Sequence, residues 1–240
     1  MIFEYAGHRL DQLFIASNLE VKLAPPMPDL ITVPGRDGQA VRGATLGVGT
    51  ISVELSKTTG TEPERRAAYS QLWAWLNIKS PQQLRLGSTS DPYYLVMPSS
   101  GGDVTRYIQC ETVTAEFTII EPARYGAIRT ASLSGSTAQS ITIAGTYPTW
   151  LKIESTNATR NASGLWGVQV DNQDYVCVAL PTAAASAVTI DSAEHLAEVD
   201  GAAIMITLDS DWLRLEPGTH SVKINKGSGS ATISWIERWL

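Results

Sequence analysis

Ile51-Ser52-Val53-Glu54-Leu55-Ser56 alternates apolar and polar residues without a break, the pattern of a β-strand with one dry face and one wet face. Val113, Ala115, Phe117 and Ile119 repeat it, with Thr114, Glu116 and Thr118 between them. Turn chemistry punctuates such runs. Asp200-Gly201 lies between Val199 and Ile204, and Pro217-Gly218 between Leu215 and Val222, both suited to reversing a strand. Period-two runs dominate the chain, so the expected architecture is mainly β.

One segment breaks the period. Thr61 can cap a helix, Glu64 sits three residues on to complete a capping box, and Pro63 is tolerated in a first turn. Ala68, Leu72, Trp75 and Leu76 then recur at spacings of three and four, leaving Arg65, Arg66 and Gln71 for the outer face, until Ser80-Pro81 stops the run. The spacing predicts one helix over 64–76, packed on the first sheet. Trp73 and Trp75 read as core aromatics of that contact.

The segment 121–126 follows a long strand-like run and precedes a Ser/Thr/Gly-rich stretch at 132–139, which places a domain boundary near residue 128. The expected domains are 1–128 and 129–240. Beyond the boundary come short strand-like runs at 140–144, 150–154, 166–170, 175–180, 188–191, 196–199, 204–207, 220–225 and 231–236, a density that predicts a two-sheet sandwich. No internal repeat recurs at a fixed period.

The 240 residues are 43% hydrophobic and 18% charged, which excludes a disordered tail, a coiled coil and a collagen-like rod. With 18 basic against 24 acidic residues the formal charge is -6, so no broad basic face is available to release counterions from a phosphate backbone. The two cysteines, Cys110 and Cys177, fall in different domains and read as buried thiols rather than a disulfide framework or a zinc knuckle. Glu4, His8 and Arg9 come too early for the apolar segment of a signal peptide, and no stretch approaches a membrane span. The chain is expected to fold in a cytoplasm.

Chemistry-bearing motifs are sparse. Three histidines, His8, His195 and His220, stand without a Gly-x-Ser-x-Gly elbow, and Gly43, Gly47 and Gly49 lack the lysine of a phosphate-cradling loop. Asp191, Glu194, His195, Glu198 and Asp200 are the best metal candidates by residue type, but their spacing matches no dedicated loop, and a solvated sheet edge is the plainer reading. No catalytic residue, metal site or cofactor is therefore expected. Trp150, Trp166 and Trp212 could stack on sugar rings if they faced a concave sheet, although core packing is the default for such residues. The sequons at Asn157 and Asn161 read as coincidences in a polar loop.

The order of several motifs carries more than any one of them. Pro34-Gly35-Arg36-Asp37-Gly38 in a turn between early strands, the helix ending Leu72-Trp73-Ala74-Trp75-Leu76, and Leu84-Arg85-Leu86 followed by Asp91-Pro92-Tyr93-Tyr94 together resemble the N-terminal domain of siphophage distal tail proteins. In the second half, Gly145-Thr146-Tyr147-Pro148, Asp200-Gly201, Trp212-Leu213-Arg214-Leu215-Glu216-Pro217-Gly218 and Ile233-Ser234-Trp235-Ile236-Glu237-Arg238-Trp239-Leu240 resemble that family's galectin-like C-terminal domain. His220 departs from the pattern, since the family often has asparagine after the Pro-Gly turn.

The resemblance implies an N-terminal β-sandwich or split-barrel-like domain with one α-helix, followed by a galectin-like jelly-roll sandwich. It also implies a structural, non-enzymatic protein of the virion tail, assembled in the bacterial host cytoplasm. Such a protein forms a homo-hexameric ring through its N-terminal domain. The implied partners are the major tail tube protein on one side and a tail-tip, tail-associated lysin or fibre protein on the other, with the tape-measure protein as a further neighbour. DNA would pass through the lumen without specific binding, and no membrane partner is implied. The stiffened turn Val33, Pro34, Gly35, Arg36, Asp37 and Gly38 is the expected oligomer contact, by β-augmentation or hairpin interlocking. The competing expectation is a carbohydrate-binding module that recognises host-wall saccharide through Trp150 or Trp166.

Overall fold

The computed structural model describes residues 2–35, 37–99, 103–106 and 111–240. Arg36 and Cys110 lie outside the described residues. Among the described residues the architecture is mainly β with one α-helix, and the chain divides into two compact units, Met1–Tyr125 and Gly126–Leu240.

In the first unit an antiparallel sheet runs in the order Ile15–Lys22, Gly49–Ser56, Glu111–Ile119, Tyr93–Pro98, Gln82–Gly87, Ile2–Tyr5, His8–Arg9, with Asp103–Arg106 also paired to Glu111–Ile119. Its dry face carries Ile51, Val53, Leu55, Val113, Ala115 and Phe117, all buried in one core with Phe3, Tyr5 and Leu10. The period-two reading of 51–56 and 113–119 therefore describes which side chains face inward.

The helix spans Glu62–Leu76, and the Glu64 carboxylate accepts the Thr61 N–H at 2.7 Å and the Thr61 hydroxyl at 3.0 Å. Its buried residues are Ala68, Tyr69, Leu72 and Leu76. Tyr69 is an inward residue that the period did not single out; its hydroxyl accepts the Lys57 N–H at 3.0 Å and its ring packs on Phe14, while Trp73 and Trp75 pack against the same core from its margin. Trp75 is half-buried instead and stacks on His8 at 4.3 Å.

The second unit is a two-sheet sandwich. One sheet runs Ala202–Ala203, Leu196–Val199, Ser186–Asp191, Lys152–Ala158, Ser230–Trp239, Arg124–Ser134, and the other Gln139–Ile143, Gly218–Lys226, Leu165–Val170, Tyr175–Ala179. Ile153, Ile190 and Ile233 of the first meet Trp166, Val168, Val178, Val222 and Ile224 of the second in a single core. Asp200 and Gly201 both adopt positive φ, 52° and 78°, as a two-residue hairpin turn requires. Pro217-Gly218 behaves differently from expectation. Arg214–Leu215 pairs with Thr149–Trp150 in a small separate sheet, whereas Gly218–Lys226 joins the four-stranded sheet, so this turn transfers the chain between sheets rather than closing a hairpin. The run at 204–207 is also no strand; it contributes one bridge, Ile206 to Val178.

Candidate assembly surfaces

The most conspicuous surface of the first unit is a two-stranded ribbon, Pro26–Thr32 paired with Gln39–Leu46, which forms a sheet of its own. Residues directly opposite in an antiparallel pair share a face. Pro26 stands opposite Leu46, Pro28 opposite Ala44, and Leu30 opposite Val41, so one face of the ribbon is continuously apolar. The opposite face mixes Met27 and Ile31 with Asp29, whose carboxylate pairs with Arg42 at 3.1 Å beside a bulge. Every residue of the two strands except Ala40 is exposed; Leu30 retains 46%, Val41 66% and Leu46 39% of its accessible surface. Exposed Leu23 and Val48 extend the apolar surface at its base, where the Gly47 N–H donates to the Pro25 carbonyl at 2.8 Å.

A two-stranded ribbon without a third element to cover it is marginal in water. Burying one such aliphatic side chain contributes roughly 1.5–3 kcal/mol, so this face gains its largest stabilisation from a covering surface. The tip expected as the oligomer contact holds Val33, Pro34, Asp37 and two left-handed glycines, Gly35 at φ 79° and Gly38 at φ 82°.

A second surface is the wet face of the sheet beside the ribbon. Register places its side chains in rows across three strands: Ser17, Glu54 and Thr114; Glu20, Ser52 and Glu116; Lys22, Thr50 and Thr118. Hydroxyls and carboxylates dominate these rows. The single base, Lys22, is 3.4 Å from Glu20. Strand Ile15–Lys22 ends the sheet, and among the described residues its outer edge has no partner strand. A bulge between Ser17 and Glu20, with Asn18 at φ 48° donating to Glu54 at 2.7 Å, interrupts that edge and limits indiscriminate pairing.

The other residues singled out by sequence are dispersed or engaged. Trp166 is wholly buried, its indole N–H donating to the Ser228 carbonyl at 3.2 Å, so the expectation of saccharide contact there is corrected: the ring is core. Trp150 remains half-buried at the surface. Among the acidic residues, Asp191 accepts the N–H groups of Ala193 and Glu194, and Asp200 accepts that of Ala187; no group of three metal-ligating side chains occurs among the described residues. Asn157 accepts the Ser230 N–H and hydroxyl, and Asn161 accepts the N–H groups of Ser163 and Leu165, so both sequon side chains organise loops. The ring of His220 lies 2.7 Å from the Asp171 carboxylate on one nitrogen and 2.7 Å from the Glu216 carbonyl on the other.

Residues 144–239 match the family model described as siphovirus-type tail component, C-terminal domain. That match lies wholly within the C-terminal unit, 126–240. The crystal structure of the Dit protein (gp 19.1) of phage SPP1, described as a paradigm of the hub adsorption apparatus of phages that infect Gram-positive hosts, has a TM-score of 0.80 to this chain at 17% identity, covering 100% of this chain and 99% of that one. A chain of the phage P2 baseplate in its Ca-activated conformation covers 90% of this chain and 90% of itself, with a TM-score of 0.48 at 9% identity. No curated protein matches the sequence. The family match in the second half and the shared fold along the whole length bear out the resemblance to distal tail proteins.

Proposed function

We propose that this chain is the ring-forming hub of a siphophage tail, six copies joining the tail tube to the tail-tip, lysin or fibre protein. The observation that carries the reading is the exposed ribbon Pro26–Thr32 and Gln39–Leu46, whose apolar face is what a neighbouring copy would cover. A ring contact of this kind should bury more than about 1,000 Å², and a protruding ribbon laid on a neighbour supplies area that a flat contact lacks. The pairing runs out to Thr32 and Gln39, so the segment 33–38 joins the ends of the ribbon, and we assign it to the interlock.

The wet face of the adjoining sheet suits the lumen. Its hydroxyls and carboxylates offer no array of cations, and counterion release, the main source of non-specific DNA affinity, needs one. DNA would pass such a surface without being held. On this reading the protein belongs to the virion tail and would be assembled in the host cytoplasm.

Light scattering on the purified full chain tests the reading, with a mass near six chains as the expected result. Replacing 32–39 with a short Gly/Ser turn should lower that mass toward one chain. A strict monomer at every concentration, or a hexamer indifferent to the replacement, would count against the ribbon as the ring contact.

A further inference from the structure

Away from the ribbon, the second unit gathers four side chains from three segments at its surface. His195 stacks on Trp212 with ring centroids 5.2 Å apart and planes 20° apart, and meets Trp150 edge-on at 5.9 Å. The Arg214 guanidinium lies over the Trp150 ring at 5.7 Å. Trp150 and Trp212 are half-buried, and His195 and Arg214 are exposed. The three segments are tied together beneath the cluster. The Leu151 N–H donates to the Leu213 carbonyl at 3.1 Å, the Ser192 N–H to the Leu151 carbonyl at 3.1 Å, and the Leu213 N–H to the Ser192 hydroxyl at 3.2 Å, with Ser192 wholly buried. His195 itself is held at φ 52°, a left-handed conformation that is costly for a non-glycine residue and that turns its ring onto Trp212.

This rigid cluster is rich in unused hydrogen-bonding capacity. Among the described residues, neither indole N–H, nor the imidazole, nor the Arg214 guanidinium has a hydrogen-bond partner, and both indole nitrogens reach solvent. The wholly buried Trp166 has its N–H satisfied by the Ser228 carbonyl, whereas the Trp235 N–H is buried without a partner. Aromatic surface combined with several fixed donors matches a ligand that presents C–H faces and hydroxyl acceptors together. Charge narrows the class. The same segments carry Asp191, Glu194 and Asp211 against Arg214 and Lys152, and Lys152 is already paired with Glu154 at 2.8 Å, a balance that disfavours phosphate- or carboxylate-bearing ligands.

We propose that Trp150, His195, Trp212 and Arg214 form a binding site for a neutral saccharide. This goes beyond the hub reading and does not depend on ring formation. It replaces Trp166 of the sequence expectation with residues that only the fold brings to Trp150.

The test is titration of the full chain with lactose, maltotetraose and chitotetraose, followed by tryptophan emission and calorimetry, with a glycerol-phosphate polymer as the anionic probe. The expected result is a saturable emission change with at least one neutral saccharide and a dissociation constant of about 0.1–1 mM. The exposed-site variants His195→Ala and Arg214→Ala, which leave the core untouched, should weaken it at least tenfold, as should Trp212→Ala, with light-scattering mass unchanged. The proposal is overturned by no saturable response to any of the three neutral saccharides up to about 20 mM, a range that covers weak millimolar binding. It is also overturned by binding that survives all three substitutions, or by a response to the anionic polymer alone. The mass measurement reports separately on the ring, so either reading can fail without the other.

Discussion

His220 shows how one side chain fixes a local structure. Both its ring nitrogens face acceptors, the Asp171 carboxylate and the Glu216 carbonyl, so the arrangement is best satisfied by the imidazolium with two donors. Burial works against the charged ring, but the bond to Asp171, the bond to the Glu216 carbonyl and the nearby carboxylate charge outweigh it and hold the pKa above its ordinary 6.5. A folded-state pKa above the unfolded value means that the stabilisation is complete below 6.5 and is lost as pH rises through the folded-state value. Thermal melts of the parent and His220→Ala between about pH 5.5 and 8.5 should show a stability difference that is largest at the acid end and shrinks toward the alkaline end. A difference constant with pH would mean that the contact acts by packing alone. Gly167 makes the complementary point about space: a Cβ there would stand 2.3 Å from the Cys177 Sγ and 2.5 Å from the Val176 carbonyl. Gly167→Ala must therefore displace backbone in the sandwich core, and its denaturant midpoint should fall markedly, by several times more than an exposed substitution in the same sheet.

At the scale of elements, the helix and the ribbon illustrate opposite sources of order. The helix carries its own start signal, since the Glu64 carboxylate closes on Thr61, and the Thr61 N–H and hydroxyl in turn hold the Glu64 pKa below its ordinary value. Thr61→Ala should cost about 1 kcal/mol in chemical denaturation, the usual size of a lost cap. The ribbon has no such internal support. Its apolar face is a stripe of Pro26, Pro28, Leu30, Val41, Ala44 and Leu46, none of which belongs to the buried core of its unit. Leu30→Asp combined with Val41→Asp should leave the melting of the core nearly unchanged while lowering the light-scattering mass from that of the ring toward that of one chain. Equal loss of melting temperature and mass would assign the ribbon to the fold of its own unit instead.

At the scale of the whole molecule, the charge balance and the composition of the two surfaces set the behaviour in solution. A ring closed by apolar ribbons should keep its mass when salt is raised to about 1 M, because screening weakens exposed ion pairs and leaves apolar burial intact. Disassembly at that salt would point to charge-dominated contacts. With a net charge of -6 and a wet sheet face of hydroxyls and carboxylates, the assembled protein should not retain duplex DNA in a mobility-shift experiment even at low salt. Retention that fell steeply with salt would place basic residues in the lumen and overturn the assignment of that face.

Much of this organisation was legible in the chain because it rests on local periodicity. The alternation at Ile51, Val53 and Leu55 determined a dry and a wet strand face, and Thr61 with Glu64 determined where the one α-helix begins. The order of turn and aromatic motifs determined the resemblance to distal tail proteins. What stayed hidden depends on pairing between distant segments. Tyr69 joins the core beside the expected residues because its hydroxyl finds the Lys57 N–H, a partner outside the helix, while Trp73 and Trp75 pack at the core's margin. Trp150 and Trp166 look alike as isolated tryptophans, yet the sandwich buries one between its sheets and leaves the other at the surface. His195 and Arg214 join Trp150 only because Leu151, Ser192 and Leu213 are tied backbone to backbone. Periodicity along the chain specifies which side of an element is apolar, but which distant partner covers that side is decided by tertiary register, since cross-strand contacts carry no local signature.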